Sequence, residues 1–339
     1  MCIRDSIESG DIKVWNAQEI LKRVQSNTAV AQGPEPRSYA SGKIILLGEH
    51  AVVYGRPALA APIPLAVEAR VVDSADTVLL IPRWGIEQRV PPMTENPQGL
   101  TGILALLLKR LDLASRSLTI EAFPNVPRAM GLGGSSALAV AVIRALSDHF
   151  KLDLSNERVN ELAFECEKAA HGTPSGVDNT IATYGSTLMF ENTGVPSFQE
   201  VRPARSVSIA VGISGKESLT ATTVAQVRRA WERQPERYER IFDQIGDLTR
   251  AGTEALRDGA YQELGELMNL CQGYLNALQV STPELEELIH IARSCGAVGA
   301  KLTGGGGGGS VIALCPDGAT DVVEAMQNSG FEALAFDLT

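Results

Sequence analysis

Apolar positions along this chain change period several times, and each change marks an element. "KIILLGEH" (Lys43 to His50) is an unbroken apolar run closed by Gly48, the pattern of a buried strand entering a turn. "RPALAAPIPLAVEARVVD" and "TVLLIP" continue as strands, and "LTGILALLLKRLDL" reads as a helix. In "SLTIEAFPNVP", Leu118, Ile120 and Ala122 alternate with polar neighbours, which predicts a half-buried strand. "MGLGGSSALAVAVIRALSDHF" is a glycine-rich turn opening a helix. "LSNERVNELAFECEKAAHG" is a second helix, with Val159, Leu162, Ala163, Cys166 and Ala170 on one stripe and Gly172 and Pro174 ending it. "TIATYGSTLMF" has the β-branched and aromatic content of a strand.

A second block follows residue 195. "VSIAVGIS" predicts a strand, and residues 220–279 carry a helical pattern rich in Arg, Glu and Leu. "TPELEELIHIARSCG" predicts a helix with Thr282 as N-cap and Pro283 at its first position. Strands are expected in "GAVGAKLT", "SVIALC" and "FEALAFDL", with a helix in "TDVVEAMQNSG". Helices and strands mixed in both halves predict a two-domain α+β protein, with domains at 38–195 and 196–339. Residues 1–37 stand apart. "DIKVWNAQEILKRVQSN" predicts a short amphipathic helix, with Ile12, Trp15, Ile20, Leu21 and Val24 loosely on one side, and "AQGPEPR" a linker.

Composition narrows the function. The chain has 339 residues, enough for two cores, and a net charge of −10. That charge disfavours nonspecific nucleic-acid or acidic-membrane partners, but local backbone N–H groups can still hold a small anion. The longest aliphatic run, "ILALLL", is too short to span a bilayer, and "MCIRDSIESGD" has no signal-peptide pattern. Five scattered cysteines form no CxxC pair, which suggests reduced thiols and a cytoplasmic location.

Four stretches carry candidate chemistry. In "MGLGGSSAL" the glycines allow close backbone approach, and a helix N-terminus offers open N–H groups to a phosphate. Ser135 and Ser136 add hydroxyls that reach a phosphate or Mg²⁺; the plain alternative is a serine-capped turn. It is not a Walker A loop, because no Gly-Lys-Ser/Thr follows. Glu167 falls in or near the last turn of its helix, where a carboxylate opposes the dipole at a cost of ~0.3–1 kcal/mol. Either Lys168 or a bound Mg²⁺ offsets that. "HGTPSGVDN" is a rigid loop ending in Asp178, which on local pattern alone reads as an Asx-turn residue, as His171 reads as a helix-terminal cation. Lys43 opens a buried strand, where a lysine either snorkels to the edge or pairs with a carboxylate in a cleft; Glu49 and His50 close the same strand.

"GKIILLGEHAVVYG", "GLGGSSA", "HGTPSGVDN" and "KLTGGGGGGS", in this order, resemble the motifs of the GHMP kinase superfamily and, within it, the mevalonate kinase family. The similarity runs from about Ser38 to the C-terminus. It implies an N-terminal domain with a left-handed β-α-β unit, a C-terminal ferredoxin-like domain, and ATP·Mg²⁺ and substrate in the cleft between them. It implies ATP-dependent phosphorylation of the C5 hydroxyl of mevalonate. Asp178 would take the hydroxyl proton, with Lys43 contacting Asp178 and the hydroxyl. Gly131, Leu132, Gly133, Gly134, Ser135 and Ser136 would hold the nucleotide phosphates. Glu167 and a serine of that loop would hold Mg²⁺, and Glu49, His50 and Thr220 would lie at the mevalonate end. Many members pair as homodimers.

Two departures from the family pattern stand out. "GLGGSSA" replaces the usual "GLGSSA"; aligned without a gap, Ser135 takes the metal position, whereas a shifted reading selects Ser136. "ASGK" replaces "APGK", which loosens the turn at Ser41 without removing a catalytic group. Competing activities are kinases of phosphomevalonate or homoserine, diphosphomevalonate decarboxylation, and a relative that binds nucleotide without catalysis.

The six glycines Gly304 to Gly309 sit between two ordered segments, which leaves a flexible spacer nothing to span. They are expected to form part of the site. Because the N-terminal extension lies outside the motif region, a chain beginning at Ser38 is expected to keep the full-length melting temperature and kcat/KM. Differential scanning fluorimetry and steady-state kinetics on the two forms check this, and a large fall in melting temperature counts against it.

Overall fold

The computed structural model describes residues 37–91, 99–172, 174–218 and 220–339. The helix expected within residues 12–24 lies outside the described residues. Arg37, placed in the linker by the sequence, pairs with Glu68 at 2.9 Å and lies over the Phe123 ring.

The first sheet is built on a long antiparallel pair, β1 (Ser38–Leu47) and β2 (Ala58–Asp73). Register shifts at Ser41/Lys43 and Ile45/Leu47 bend β1 where it enters the site. β3 (Val78–Ile81), β4 (Ile86–Arg89), β5 (Leu118–Pro124), β6 (Leu188–Asn192) and β7 (Pro196–Glu200) complete it in the order β4-β3-β5-β2-β6-β7, with β1 also on β2. β3 and β5 run parallel, joined through β4 and helix α1 (Gly99–Arg110). Helices α2 (Gly134–Phe150), α3 (Asn156–His171) and α4 (Val177–Tyr184) lie between β5 and β6. Most of α2 is apolar and buried because it packs on β1, β2, α3 and α4 together. Ser155 caps α3 by accepting from the Arg158 N–H.

The second domain has strand order β11-β8-β10-β9, all antiparallel. Its strands are β8 (Val207–Ile213), β9 (Gly299–Thr303), β10 (Ser310–Cys315) and β11 (Glu332–Leu338). Helices α5 (Thr220–Arg233), α6 (Pro235–Asp258), α7 (Tyr261–Ala277) and α8 (Pro283–Ser294) separate β8 from β9, and α9 (Thr320–Asn328) separates β10 from β11. This is a ferredoxin-like β-α-β-β-α-β arrangement with extra helices in the first crossover. No helix among the described residues is long and apolar enough to cross a membrane.

Two expectations change. The first sheet continues past residue 195, because β7 pairs with β6 through Asn192↔Pro196 to Leu188↔Glu200. β7 is exposed throughout and polar at most positions, so it lacks the periodic apolar face that marks a strand. And "TIATY" is helical: α4 starts after Gly176, which takes φ 96°, and Val177, Ile181 and Ala182 are buried. Contacts with β1, α2 and α3 override the strand propensity of Thr and Ile.

The domains meet along β1 and the turn after it. Tyr54 stacks on Phe242 of α6 at 4.1 Å, and Arg56 reaches Glu239 and Asp243. Ile45 in β1 donates its N–H to the Thr303 hydroxyl at 2.8 Å, which ties the first sheet to the end of β9.

Candidate active site

A cleft of about 670 Å³ opens between the domains, lined by β1, the loop before α2, the start of α4, α5 and the first glycines after β9. Lys43 lines it and is buried. Its main-chain N–H donates to Leu132 O at 2.9 Å, and its ammonium donates to Gly131 O at 3.1 Å. The ammonium lies 3.4 Å from Asp178, whose carboxylate is about a third exposed to the cleft. The lysine pairs in the cleft instead of snorkelling, and Asp178 stands in the first turn of α4, where the helix dipole favours an anion. Its Asx-turn reading is thereby replaced.

The loop ahead of α2 is shaped by Gly131 and Gly133, both at φ 73°. A Cβ on Gly133 would come within 2.7 Å of Lys43 Cγ, so glycine there is what lets the lysine lie against the loop. Helix α2 then begins at Gly134, directing the open N–H groups of Gly134, Ser135 and Ser136 at the cleft. The two serines part company. The Ser135 hydroxyl is exposed and donates to Glu167 Oε1 at 2.9 Å, whereas Ser136 is fully buried and its Oγ has no partner. Glu167, four residues before the end of α3, is itself buried.

At the other end, Glu49 and His50 are both buried. His50 takes φ 60°, a conformation costly for a residue with a Cβ, and is held there by its Nε2, which donates to Gly305 O at 3.0 Å. Burial lowers its pKa to about 4, so the ring is neutral and the proton is on Nε2. Glu49 forms an ion pair with Lys301 of β9, both side chains fully enclosed. The Glu49 pKa is raised overall by burial, with Lys301 opposing the shift. The sequence reading missed Lys301. Thr220 opens α5 and lines the cleft, its hydroxyl 3.1 Å from Ser218 Oγ.

The glycine run is a tight connection between adjacent antiparallel strands, Thr303 pairing with Ser310. Gly304 and Gly306 to Gly309 all have positive φ. Gly304 and Gly305 line the cleft, and Gly304 packs on the loop before α2, where a Cβ would meet Gly131 O at 3.0 Å. The later glycines face protein: Gly307 donates to Val280 O at 2.8 Å and Gly309 to Lys216 O at 2.8 Å. The first two glycines therefore shape the cleft, and the later four pack against the protein and anchor the loop.

Two family models match this chain, the GHMP kinases N-terminal domain over residues 100–186 and the GHMP kinases C-terminal domain over residues 253–332. The mevalonate kinase of Methanothermobacter thermautotrophicus is 37% identical over 292 residues, covering 86% of this chain and 93% of the relative. That of Thermococcus gammatolerans is 35% identical over 314 residues, covering 86% and 92%. This chain belongs to the mevalonate kinase family of the GHMP kinases. Among solved structures, Leishmania major mevalonate kinase in complex with R-mevalonate matches with a TM-score of 0.72 at 31% identity, covering 87% of this chain and 90% of that one. Methanococcus jannaschii mevalonate kinase, at 24% identity and a TM-score of 0.76, shares the fold. In this chain the two domains bracket a cleft entered by a helix N-terminus.

The anchoring glycines lead to a specific expectation. A Cβ on Gly306 would lie 2.2 Å from Val280 O at φ 71°, so Gly306→Ala must shift the backbone. It is expected to lower stability by roughly 1–3 kcal/mol as well as turnover. Denaturant melts compared with kinetics check this, and an unchanged melt with normal turnover returns the run to a spacer.

Proposed function

We propose that this chain transfers the γ-phosphoryl group of ATP to the C5 hydroxyl of mevalonate, giving 5-phosphomevalonate and ADP. The observation that carries the reading is the Lys43–Asp178 pair, 3.4 Å apart in the cleft and beside the open N-terminus of α2. Phosphoryl transfer asks the protein mainly for positioning and charge neutralisation. Backbone N–H groups of Gly134 to Ser136 receive phosphate oxygens at the helix end. Lys43 orients the attacking hydroxyl and Asp178 together. Asp178 accepts the hydroxyl proton as the C5–O–P bond forms and the bond to the β-phosphate oxygen breaks.

The residues fit a Mg²⁺ ion. Ser135 Oγ and Glu167 Oε1 already converge at 2.9 Å, whereas Ser136 is sealed away, which favours the gap-free alignment. The described residues contain no cluster of three His, Cys, Asp or Glu, as suits an ion that takes few protein ligands and completes its shell with phosphate oxygens and water. When bound, Mg²⁺ neutralises charge on the transferring phosphate. Cys166, Cys271, Cys295 and Cys315 are free thiols, which supports a cytoplasmic location.

An ADP-release assay over mevalonate, phosphomevalonate, homoserine and galactose tests the assignment; turnover confined to any of the other three overturns it. Asp178→Asn is expected to lower kcat by at least ~10²-fold with ATP affinity near wild type. Turnover within a few-fold of wild type takes Asp178 out of the mechanism. Glu167→Gln and Ser135→Ala are expected to raise the Mg²⁺ concentration for half activity, and Ser136→Ala to leave it alone. A Mg²⁺ titration in which only Ser136→Ala shifts selects the other serine.

A further inference from the structure

Ser218 lies between β8 and α5, lines the cleft and is tied to three neighbours. Its main-chain N–H donates at 2.6 Å to the carbonyl of Ala129, a residue of the loop before α2 that takes φ 56°. Its hydroxyl donates to Gly306 O at 3.0 Å and lies 3.1 Å from Thr220 Oγ1. A hydroxyl has one proton, and a carbonyl oxygen only accepts. Because Ser218 gives its proton to Gly306, the bond to Thr220 is donated by Thr220. The reverse arrangement takes that donor from Gly306 O and makes one bond where the first makes two. The chain therefore has a direction, from Thr220 to Ser218 to Gly306. Thr220 is exposed on the cleft wall, and its side chain rests on Gly305, where a Cβ would come within 2.8 Å of Oγ1. With its proton committed to Ser218, Thr220 Oγ1 has only lone pairs left for the cleft.

We infer that Ser218 is a positioning residue: by taking the Thr220 proton it fixes Thr220 Oγ1 as an acceptor for a hydroxyl of the substrate. The inference rests on the mevalonate reading above for the identity of that substrate. A hydroxyl brings the proton that Thr220 lacks, whereas a carboxylate brings only acceptors and is turned away from this part of the wall. Stability does not account for the Ser218–Thr220 bond. Both hydroxyls are within reach of water, which serves them nearly as well, so the bond adds little to the folded state. What it adds is direction, because a lone threonine hydroxyl on a wet wall rotates and presents donor or acceptor alike. The direction originates at Gly306 O, so one of the anchoring glycines sets the polarity of a group in the cleft. Ser218 reaches the loop before α2 through its main chain and Thr220 through its side chain, so replacing the side chain leaves the Ala129 contact in place.

The test is a double-mutant cycle in the full chain, read as kcat/KM for the alcohol that the wild type phosphorylates, with KM for ATP measured alongside. Thr220→Val keeps the shape and removes the hydroxyl, and it is expected to lower kcat/KM for the alcohol by about 10²-fold. Ser218→Ala leaves Thr220 in place but undirected, and a loss of about 10-fold is expected. In both variants KM for ATP is expected to stay within about 2-fold of wild type. Because Ser218 acts through Thr220, the Ser218→Ala/Thr220→Val double variant is expected to lie within about 2-fold of Thr220→Val alone. Thr220→Ser, which keeps the hydroxyl, is expected to retain most of the activity. Should Ser218→Ala fail to fold, Ser218→Cys takes its place in the cycle, since a thiol fills the site but accepts a hydrogen bond weakly. Wild-type kcat/KM in Ser218→Ala or in Thr220→Val overturns the inference. So do losses that multiply in the double variant, or a KM for ATP that rises together with that for the alcohol, which is the mark of a residue that only ties loops. A wild type that phosphorylates a different alcohol overturns the mevalonate reading and leaves the cycle to decide this one. A wild type that phosphorylates none overturns both.

Discussion

The site depends on a buried ammonium. Burying a lysine is costly unless its charge is paired and its protons are used, and Lys43 meets both conditions within a few ångströms. Its ammonium takes Gly131 O and Asp178, its main-chain N–H takes Leu132 O, and its stem lies against Gly133. One side chain therefore sets the mutual positions of β1, the loop before α2 and the first turn of α4. None of the three can move alone without leaving a buried charge short of a partner, which is much costlier than losing an exposed ion pair. That constraint delivers the geometry phosphoryl transfer needs: a carboxylate, an ammonium and a helix N-terminus around one point.

The second domain is held to this centre by backbone packed on backbone. Gly131 and Gly304 approach so closely that a Cβ on either would meet the other chain at 3.0 Å, the Gly131 side striking Thr303 O and the Gly304 side Gly131 O. Around that contact, Thr303 bonds to Ile45, Ser310 Oγ donates to Met130 O at 2.9 Å, and His50 donates to Gly305 O. The glycines are thus required at the seam by the absence of side chains, and the directional bonds are supplied by the residues beside them. The strained φ of His50 is sustained by the same seam, since its ring is fixed by a carbonyl from the other domain.

Much of this was legible in the sequence because strand and helix periods survive packing: β2, β5, α2 and α8 lie where their apolar patterns put them. The motif order also led to Lys43, Asp178, Ser135 and Glu167, which the fold brings into one cleft. What was not legible depends on neighbours distant in the chain. Thr180, Ile181 and Thr183 read as strand, yet they are buried against elements that accept only a helix there. β7 has no apolar period to read, because both its faces are exposed. Lys301 gives no local signal at all, since its partner is 252 residues away in the chain. The choice between Ser135 and Ser136 was open in the sequence because adjacent helical residues point about 100° apart, and only the packed helix shows which faces Glu167.

Two lysine–carboxylate pairs within one cleft then divide the work by their exposure. Lys43 and Asp178 are separated by 3.4 Å, and the carboxylate is about a third open to the cleft. That opening is what the proposed proton transfer to Asp178 requires. Lys301 and Glu49 are wholly enclosed, with the ammonium further bound by two carbonyls. Burial raises the Glu49 pKa against the pull of Lys301, and moving the carboxylate would break contacts on both sides in a low-dielectric environment. The same two functional groups therefore serve different ends. Where the cleft gives access, the carboxylate is open to the proton transfer proposed for it; where it does not, the pair holds a shape. Sequence assigns the residue types, and burial, a property of the whole fold, assigns the roles.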